Sequence, residues 1–373
     1  MGHMGRKPQL LMLIRKPARR PLKSACIVAA LLAAIVLVVP GPPPALPAEP
    51  TRNIEVLWTT PGPEENPFRM VDGIAGAPDG RIFMVDSQAH SLYRFDPQTR
   101  AYVWLDQRGQ GPGELESPYL VTLTHNGEVA VYDMGRRKVL IYSTDLEPLR
   151  EIQLRRFITN PKGFAFLSDG TFIITGSFPS AAVRGADIFA AHRFAEDGAV
   201  VARYVRLPDP GQPQWRNNLV HIAGGPVFSL AGGGFLYSNS APHRILRFDA
   251  SFNETEIVAD PQVVPEIVET FATERYHEER KTMYWELDWY HDQSRGIYEL
   301  SDGRLLNIIT RRGAGTSTWE LYGAGGRLLE RFEANMAYHP FGITQPDDVV
   351  LARYQDSETS EYFVAALRWK QDR

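Results

Sequence analysis

Eight polar side chains spread along this 373-residue chain are of the types that bind a carboxylate or another small anion. Arginine, lysine and histidine donate charge-assisted hydrogen bonds to such groups, and asparagine adds a neutral donor. The eight stand at the starts of predicted strands or on nearby loops: Arg69, Arg136, Asn160, Lys162, His221, Arg295, Arg311 and His339. Since they are far apart in sequence, only the fold can bring them together. The alternative interpretation is the ordinary polarity of surface loops.

A cluster of aromatic residues is the second candidate site. Tyr284, Trp285, Trp289 and Tyr290 fall within seven consecutive positions. Such rings can form a wall that binds a sugar, a peptide or a partner protein. They can equally pack an inserted segment onto the rest of the molecule, and the sequence leaves both interpretations open.

Motifs that suggest catalysis or phosphate binding are incomplete in this chain. The glycine run at 109–113 lacks the Gly-Lys-Ser/Thr of a phosphate-binding loop, which favours a turn between repeats. His277 has a lysine, Lys281, where a zinc helix carries its second histidine, and no Gly-x-Ser-x-Gly occurs. The only cysteine is Cys26. We therefore predict no catalytic residue, no cofactor and no metal, and a binding protein rather than an enzyme.

The charge is distributed unevenly along the chain. Residues 1–48 contain seven basic residues and no acidic one, while the remaining residues carry 33 basic and 44 acidic side chains. An acidic body is repelled by polyphosphate, so we expect no nucleic-acid partner.

The N-terminal 48 residues have the pattern of an export segment. The basic residues precede an uncharged apolar run at 25–39, which is followed by a Pro-rich stretch. This order is typical of a signal peptide, and an uncleaved transmembrane helix is the alternative. We expect a periplasmic or extracellular protein. Residues 25–48 either tether it to the inner membrane or are removed by cleavage.

Tight-turn pairs recur along the rest of the chain and predict a repeated β-structure. Each pair lies between two short runs of alternating apolar residues, which is typical of a two-residue hairpin. The pairs are Asp79-Gly80, Asn126-Gly127, Asp169-Gly170, Gly233-Gly234, Asp302-Gly303 and Asp347-Asp348. Six units of about 45 residues follow from this spacing, each a four-stranded antiparallel meander that must pack against its neighbours.

Three of the units also share a pattern after the turn. A short polar residue is followed four positions later by His or Arg, six later by an aliphatic residue and nine later by an aromatic. The polar residues are Asp86, Asp133 and Asn239, and we expect the two aspartates to bond the backbone of their own hairpins. This unit resembles NHL-type propeller blades, and the Gly-rich linker at 109–115 resembles the blade junction of bacterial exported six-bladed β-propeller proteins related to the NHL and TolB-like groups.

The resemblance implies an all-β, six-bladed propeller over residues 54–373. Because the last unit offers only three strands, we expect residues 54–60 to complete it as the outer strand. Residues 261–291 break the alternating pattern, and near-helical apolar spacing predicts an inserted helix at about 262–290.

A propeller places the eight polar residues around the mouth of its central channel. The mouth would be basic within an acidic body, which predicts capture of a small anionic ligand by a monomer, or interaction with an envelope protein. Lactonase-like hydrolases, which the chain resembles in fold, hold a metal with carboxylates at these positions, and this chain offers almost none there. The alternative is an enzyme of the lyase or lactonase-like kind, with its site at the same mouth.

Overall fold

The structure, a computed structural model, describes residues 54–178, 187–207, 223–240, 243–260, 272–277, 282–287, 293–311, 316–334, 338–344, 347–356 and 359–370. Within these ranges the chain forms 26 β-strands and no helix. They are β1 (Ile54–Thr60), β2 (Val71–Gly76), β3 (Ile82–Asp86), β4 (Ser91–Asp96), β5 (Ala101–Leu105), β6 (Pro118–Leu123), β7 (Val129–Asp133), β8 (Lys138–Tyr142), β9 (Pro148–Gln153), β10 (Thr159–Phe166), β11 (Phe172–Ser177), β12 (Phe189–Phe194), β13 (Val200–Arg206), β14 (Val227–Ser229), β15 (Phe235–Ser240), β16 (His243–Phe248), β17 (Glu254–Asp260), β18 (Ala272–His277), β19 (Thr282–Leu287), β20 (Gln293–Glu299), β21 (Leu305–Arg311), β22 (Thr316–Tyr322), β23 (Leu328–Ala334), β24 (His339–Thr344), β25 (Val349–Gln355) and β26 (Tyr362–Trp369).

These strands build a six-bladed propeller, as the repeats predict. Six sheets have four antiparallel strands each: β2–β5, β6–β9, β10–β13, β14–β17, β20–β23, and β24–β26 with β1. We number these blades 1 to 6. The innermost strands β2, β6, β10, β14, β20 and β24 contact one another in turn, and β24 contacts β2, so the ring is closed.

The closing strand is the one predicted from the sequence. β1 pairs antiparallel with β26, with Ile54 opposite Trp369 and Thr60 opposite Val364. The last blade therefore takes its outer strand from the start of the fold, which joins the two ends of the ring by backbone hydrogen bonds.

The six turn pairs all connect the first and second strands of a blade, as expected. Their geometry differs from the predicted two-residue hairpin. At the first turn, Gly80 has a φ of 87° while Asp79 is not among the residues with positive φ, and the Gly80 amide donates to the Ala77 carbonyl. This is a three-residue loop in which only the glycine needs the left-handed conformation. In blade 6 a non-glycine residue, Asp348, takes that place with a φ of 52°.

The repeated aspartates bond their own hairpins, as predicted, and also a second segment. One oxygen of Asp86 accepts from the Gln88 and Ala89 amides of the following turn. The other accepts from the Arg69 and Met70 amides, both at 2.7 Å. Asp133 bonds in the same way to both sides in blade 2. Each carboxylate is fully buried and fixes the start of the innermost strand to the next hairpin.

The hydrophobic core is divided among the seams between blades. Six clusters of buried side chains occur among the described residues, and each combines residues of two adjacent blades. Both faces of a blade are therefore covered, which is why β3 and β7, the second strands of blades 1 and 2, are buried at every position. Burial on both faces makes each blade depend on its neighbours.

The predicted inserted helix is wrong where the structure describes it. Residues 272–277 and 282–287 form the antiparallel hairpin β18–β19 between blades 4 and 5. Thr, Tyr and Trp at 282, 284 and 285 favour extended backbone, and this preference prevails over the near-helical spacing of apolar residues. The export segment at 1–48 lies outside the described residues. None of the residues that the structure describes forms a helix long and apolar enough to span a membrane.

Candidate functional site

A cavity of about 600 Å³ lies in the central channel, at the end where the innermost strands start. All six blades contribute to its wall. The lining residues with polar or charged side chains are Asp72, Tyr119, Lys162, Gln293, Arg295, Tyr298, Thr310, His339 and Arg353. This volume is typical of sites for small ligands.

Irregular pairing at the start of the innermost strands turns side chains into this cavity. Between β20 and β21, Ser294 faces Ile309 and Gly296 faces Ile308, so Arg295 is an extra residue with no partner across the ladder. The same shift makes extra residues of Asp72, Tyr119 and Phe341 in blades 1, 2 and 6. In blade 3 a wider irregularity between Thr159 and Gly163 contains Lys162. Such β-bulges re-aim a side chain, and here all five line the cavity.

A glycine follows the bulge residue in four of these blades, and it is required by close packing. A Cβ on Gly73 would stand 2.9 Å from the Val121 nitrogen of the next blade. A Cβ on Gly163 would stand 2.7 Å from the Gly225 oxygen. At Gly73, Gly163 and Gly342 the neighbouring blade approaches so closely that a Cβ would force the innermost strands apart, whereas a Cβ on Gly296 would meet the Tyr298 side chain of its own strand.

The charged lining residues are three cations and one carboxylate. Arg353 stands with its Nη1 3.8 Å from Asp72 Oδ1 and also donates to the Val71 carbonyl. Burial raises the pKa of Asp72, although a hydrogen bond from Ser87 and the charge of Arg353 oppose that rise. Arg295 and Lys162 add two further cations, so the lining has an excess of positive charge when Lys162 is protonated.

The pKa of Lys162 is strongly shifted. Burial, and then the nearby charge of Arg295, lower the pKa of its ammonium group from 10.5 to about 7. A desolvated amine beside a guanidinium loses its proton easily, since both effects disfavour the charged form. The charge at this end of the channel therefore changes near neutral pH.

Arg295 is backed by a chain of polar side chains that crosses blade 5. Ser294 Oγ donates to Asn307 Oδ1 at 2.7 Å, and Asn307 Nδ2 donates to Glu320 Oε2 at 3.2 Å. Glu320 Oε1 accepts from Arg331 Nε at 2.9 Å on the outer strand. Ser294, Asn307 and Glu320 are all buried. These bonds fix the strand segment that carries Arg295.

Three of the eight predicted anion-binding residues line the cavity: Lys162, Arg295 and His339. Arg69 and Asn160 are exposed and lie outside the lining. Asn160 has a φ of 48°, and it belongs to the irregularity that places Lys162. In blade 1 the residue that lines the cavity is Asp72, three positions after Arg69, and in blade 3 it is the predicted Lys162.

Arg136 has a different environment from the one expected. Its guanidinium donates to the carbonyls of Gly111 and Glu114 and pairs with Glu151 Oε1 at 3.0 Å. It therefore holds the junction between blades 1 and 2 rather than the channel mouth. His221 lies outside the described residues, and Arg311 ends β21 without a described side chain.

The aromatic cluster stays a prediction. Tyr284 and Trp285 lie in β19, where only the backbone is described, and Trp289 and Tyr290 fall outside the described residues.

Besides its two tyrosines, four further polar residues of the lining were not predicted from the sequence: Asp72, Gln293, Thr310 and Arg353. Asp72 is the one carboxylate among the described lining residues, where the sequence predicted almost none. A simple signal would have found the bulge residues, because they precede the turn glycine by eight positions in four blades: Asp72, Tyr119, Lys162 and Arg295. No group of three or more His, Cys, Asp or Glu within the described ranges is placed to hold a metal ion.

Comparisons with known proteins agree with the fold. Residues 62–168 match the model of a protein family described as 6-bladed beta-propeller, a range that spans blades 1 and 2 and the first strand of blade 3. No curated protein sequence gives a match.

Solved structures with similar folds include proteins of different activities. A Bacteroides fragilis protein described as exported aligns with a TM-score of 0.59 at 14% identity, over 85% of this chain and 96% of that chain. A streptogramin B lyase aligns with a TM-score of 0.50 at 13% identity, over 85% and 98% of the two chains. A Xanthomonas campestris gluconolactonase reaches 0.48 at 12% identity, over 81% and 88%, which is too distant to support an argument. At these identities the likeness shows the six-bladed propeller alone.

Proposed function

We propose that this chain is an extracytoplasmic propeller that binds a small anionic ligand, with a carboxylate as the simplest case, in its central channel. One observation carries the proposal: Lys162 and Arg295, from blades 3 and 5, both stand in strand irregularities that turn them into one cavity of about 600 Å³. Irregular pairing is costly to the sheet, so its recurrence around a cavity favours a role in binding.

The chemistry of these two groups suits an anion. The planar guanidinium of Arg295 can donate two parallel hydrogen bonds to a carboxylate. Lys162 is half-buried beside it, and an anion between them would favour its protonated form. The described lining offers one carboxylate, Asp72, which stands near Arg353, so the lining carries more positive than negative charge while Lys162 is protonated.

The cellular location and the oligomeric state are part of the same proposal. The basic and apolar N-terminal segment supports export, with the propeller on the outer side of the inner membrane. Because every blade face is covered by the next blade, a monomer needs no second copy to bury its core. Interaction with an envelope protein through residues 284–290 would be a separate function, which the described part of the chain does not support.

Titration calorimetry of the purified full-length chain with succinate, benzoate and inorganic phosphate tests the binding proposal. We expect at least one of these anions to bind with 1:1 stoichiometry. Arg295→Met should weaken its binding at least 10-fold, because the fork of donors is lost. Arg206→Met is the matched control, since the Arg206 side chain is 68% exposed on an outer strand. Absence of binding, or an equal affinity for Arg295→Met, would overturn the proposal.

Lys162 also supports a second candidate function, an enzyme of the lyase or lactonase-like kind at the same site. An amine with a pKa of about 7 is suited to act as a general base. It could take a proton from the water that attacks a lactone carbonyl, and the ring oxygen would take that proton when its bond to the carbonyl carbon breaks. Lys162→Met should then abolish the release of hydroxy acid from δ-valerolactone, followed by NMR. Equal rates for the wild type, the variant and buffer would exclude this lactonase reaction.

A further inference from the structure

The residues that line the channel change from charged at the mouth to apolar further inward. Six residues line both the 600 Å³ cavity and a second cavity of about 190 Å³ further along the channel. They are Ile74, Val121, Phe164, Val227, Tyr298 and Phe341, one from the innermost strand of each blade. We call these six residues the apolar ring.

The position of the apolar ring follows from the two cavity linings. In blades 1, 2 and 3 its members lie two residues after Asp72, Tyr119 and Lys162. Both sets of residues line the larger cavity, and only the ring residues also line the smaller one. The bulge residues therefore form the mouth, and the apolar ring forms the next layer inward.

The second cavity continues the apolar surface. Its other described lining residues are Ala75, Gly76, Thr122, Leu123, Ala165, Phe166, Phe228, Ser229, Gly342 and Ile343. None of the described residues around this cavity is charged or a histidine. An anion that enters from the mouth is thus held at the charged layer, while any part of it that extends inward meets apolar side chains.

These two layers fix the kind of ligand more closely than charge alone. A small hydrophilic anion at Arg295 would leave water against the apolar ring. A ligand with an apolar end would displace that water, and burial of apolar surface is favourable in proportion to its area. Resting on the function proposed above, we infer that the ligand is an amphipathic carboxylate, whose carboxylate lies at Arg295 and Lys162 and whose alkyl or aryl group packs on the apolar ring.

A homologous series of carboxylates tests this inference by titration calorimetry of the full-length chain. We expect affinity to rise about 3- to 4-fold for each added methylene from butanoate to octanoate, and to exceed that of succinate. 1-Octanol is the matched ligand without a carboxylate and should bind much more weakly than octanoate.

Val227→Thr is the matched variant of the apolar ring, since it keeps the shape of a half-buried side chain and adds a hydroxyl. It should lower octanoate affinity several-fold and leave butanoate affinity unchanged. Val103→Thr, on an outer strand where Val103 is 39% exposed, should change neither.

The possible failures can be told apart. If succinate binds in an Arg295-dependent way and chain length has no effect, the amphipathic ligand is excluded and anion binding stands. If octanol binds as tightly as octanoate and Arg295→Met changes neither, the anion-binding function itself fails, and this inference fails with it. An equal loss of affinity for butanoate and octanoate in Val227→Thr would also overturn the inference. The substitution would then disturb the carboxylate site at the mouth rather than the packing of the apolar group.

Discussion

Asp72 Oδ1 lies 3.8 Å from Arg353 Nη1, across the seam where the first blade meets the last. Both side chains are largely buried and both line the channel cavity. The pair joins the two ends of the ring and at the same time offsets one of the cations in the lining. A structural contact and the electrostatic potential of the candidate site are therefore linked.

Asp72→Asn should tighten anion binding. The substitution keeps the size of the side chain and removes a negative charge from the lining; in a water-filled cavity, at a dielectric of ~80, a charge ~4 Å from the ligand is worth about 1 kcal/mol, or roughly 5-fold in affinity. Titration calorimetry with benzoate measures the change. Asp79→Asn is the control, because Asp79 lies in the turn at the opposite end of β2 and should have no effect. Weaker binding by Asp72→Asn would show that Asp72 supports the ligand rather than repelling it.

Anion affinity should fall as pH rises through about 7. Lys162 has a pKa of about 7, so its positive charge is present at pH 6 and largely lost at pH 8. Benzoate stays ionised throughout, and its affinity should drop by up to about 10-fold over this interval. Lys162→Met should bind more weakly and with a smaller pH dependence, whereas Lys162→Arg should keep its affinity at pH 8. An equal pH dependence in the wild type and in Lys162→Met would exclude Lys162 from the site.

The same group predicts a pH dependence of stability in the absence of ligand. The unfolded chain holds the Lys162 proton up to its ordinary pKa of 10.5, whereas the folded chain releases it near 7. Since the unfolded state binds more protons between these values, this group makes the free energy of unfolding rise with pH from about 7 to 10.5. Urea titrations of the wild type and Lys162→Met at pH 7 and pH 9 measure this term. The variant should gain less than the wild type over this interval, and an identical gain would contradict the assignment.

The turn glycines and the apolar alternation were sufficient to predict the blades. A period of two identifies a strand, and the turn pair, with glycine in five of the six blades, identifies where the chain reverses, so the six blades and the closing strand β1 follow from local features. The helix predicted around 272–287 was wrong because the apolar residues there fit both the helical and the strand period. Its Thr, Tyr and Trp content was the feature that favoured strands.

The candidate site was predicted only to within three residues. Lys162, Arg295 and His339 were found, but Arg69 was chosen where Asp72 enters the channel. One extra residue in a strand reverses which side chains point inward, and composition alone does not show where the extra residue is. The constant distance to the turn glycine does show it.

Asp86→Ala should be strongly destabilising. The carboxylate is fully buried and accepts hydrogen bonds from four backbone amides. These bonds join the start of β2 to the β3–β4 hairpin. Loss of the carboxylate leaves these donors unpaired, at a cost of about 3 kcal/mol or more. Urea unfolding measures the difference. Asp79→Ala is the control, since the Asp79 side chain is 48% exposed and its loss should cost about 0.5 kcal/mol. Equal effects of the two substitutions would contradict the clamping role.

Ile54→Ala should weaken the closure of the ring. Ile54 is 1% exposed, begins β1 and packs in the cluster between blades 5 and 6. Truncation leaves a cavity at the strand that joins the two ends of the propeller, and we expect a loss of about 2–4 kcal/mol in the free energy of unfolding. Glu55→Ala, exposed on the same strand, keeps the β1–β26 pairing and should change stability by less than ~0.5 kcal/mol. Because both variants keep the backbone pairing, a difference between them measures the packing that holds the closing strand. If Ile54→Ala matched Glu55→Ala, the closing strand would be held by its backbone hydrogen bonds alone.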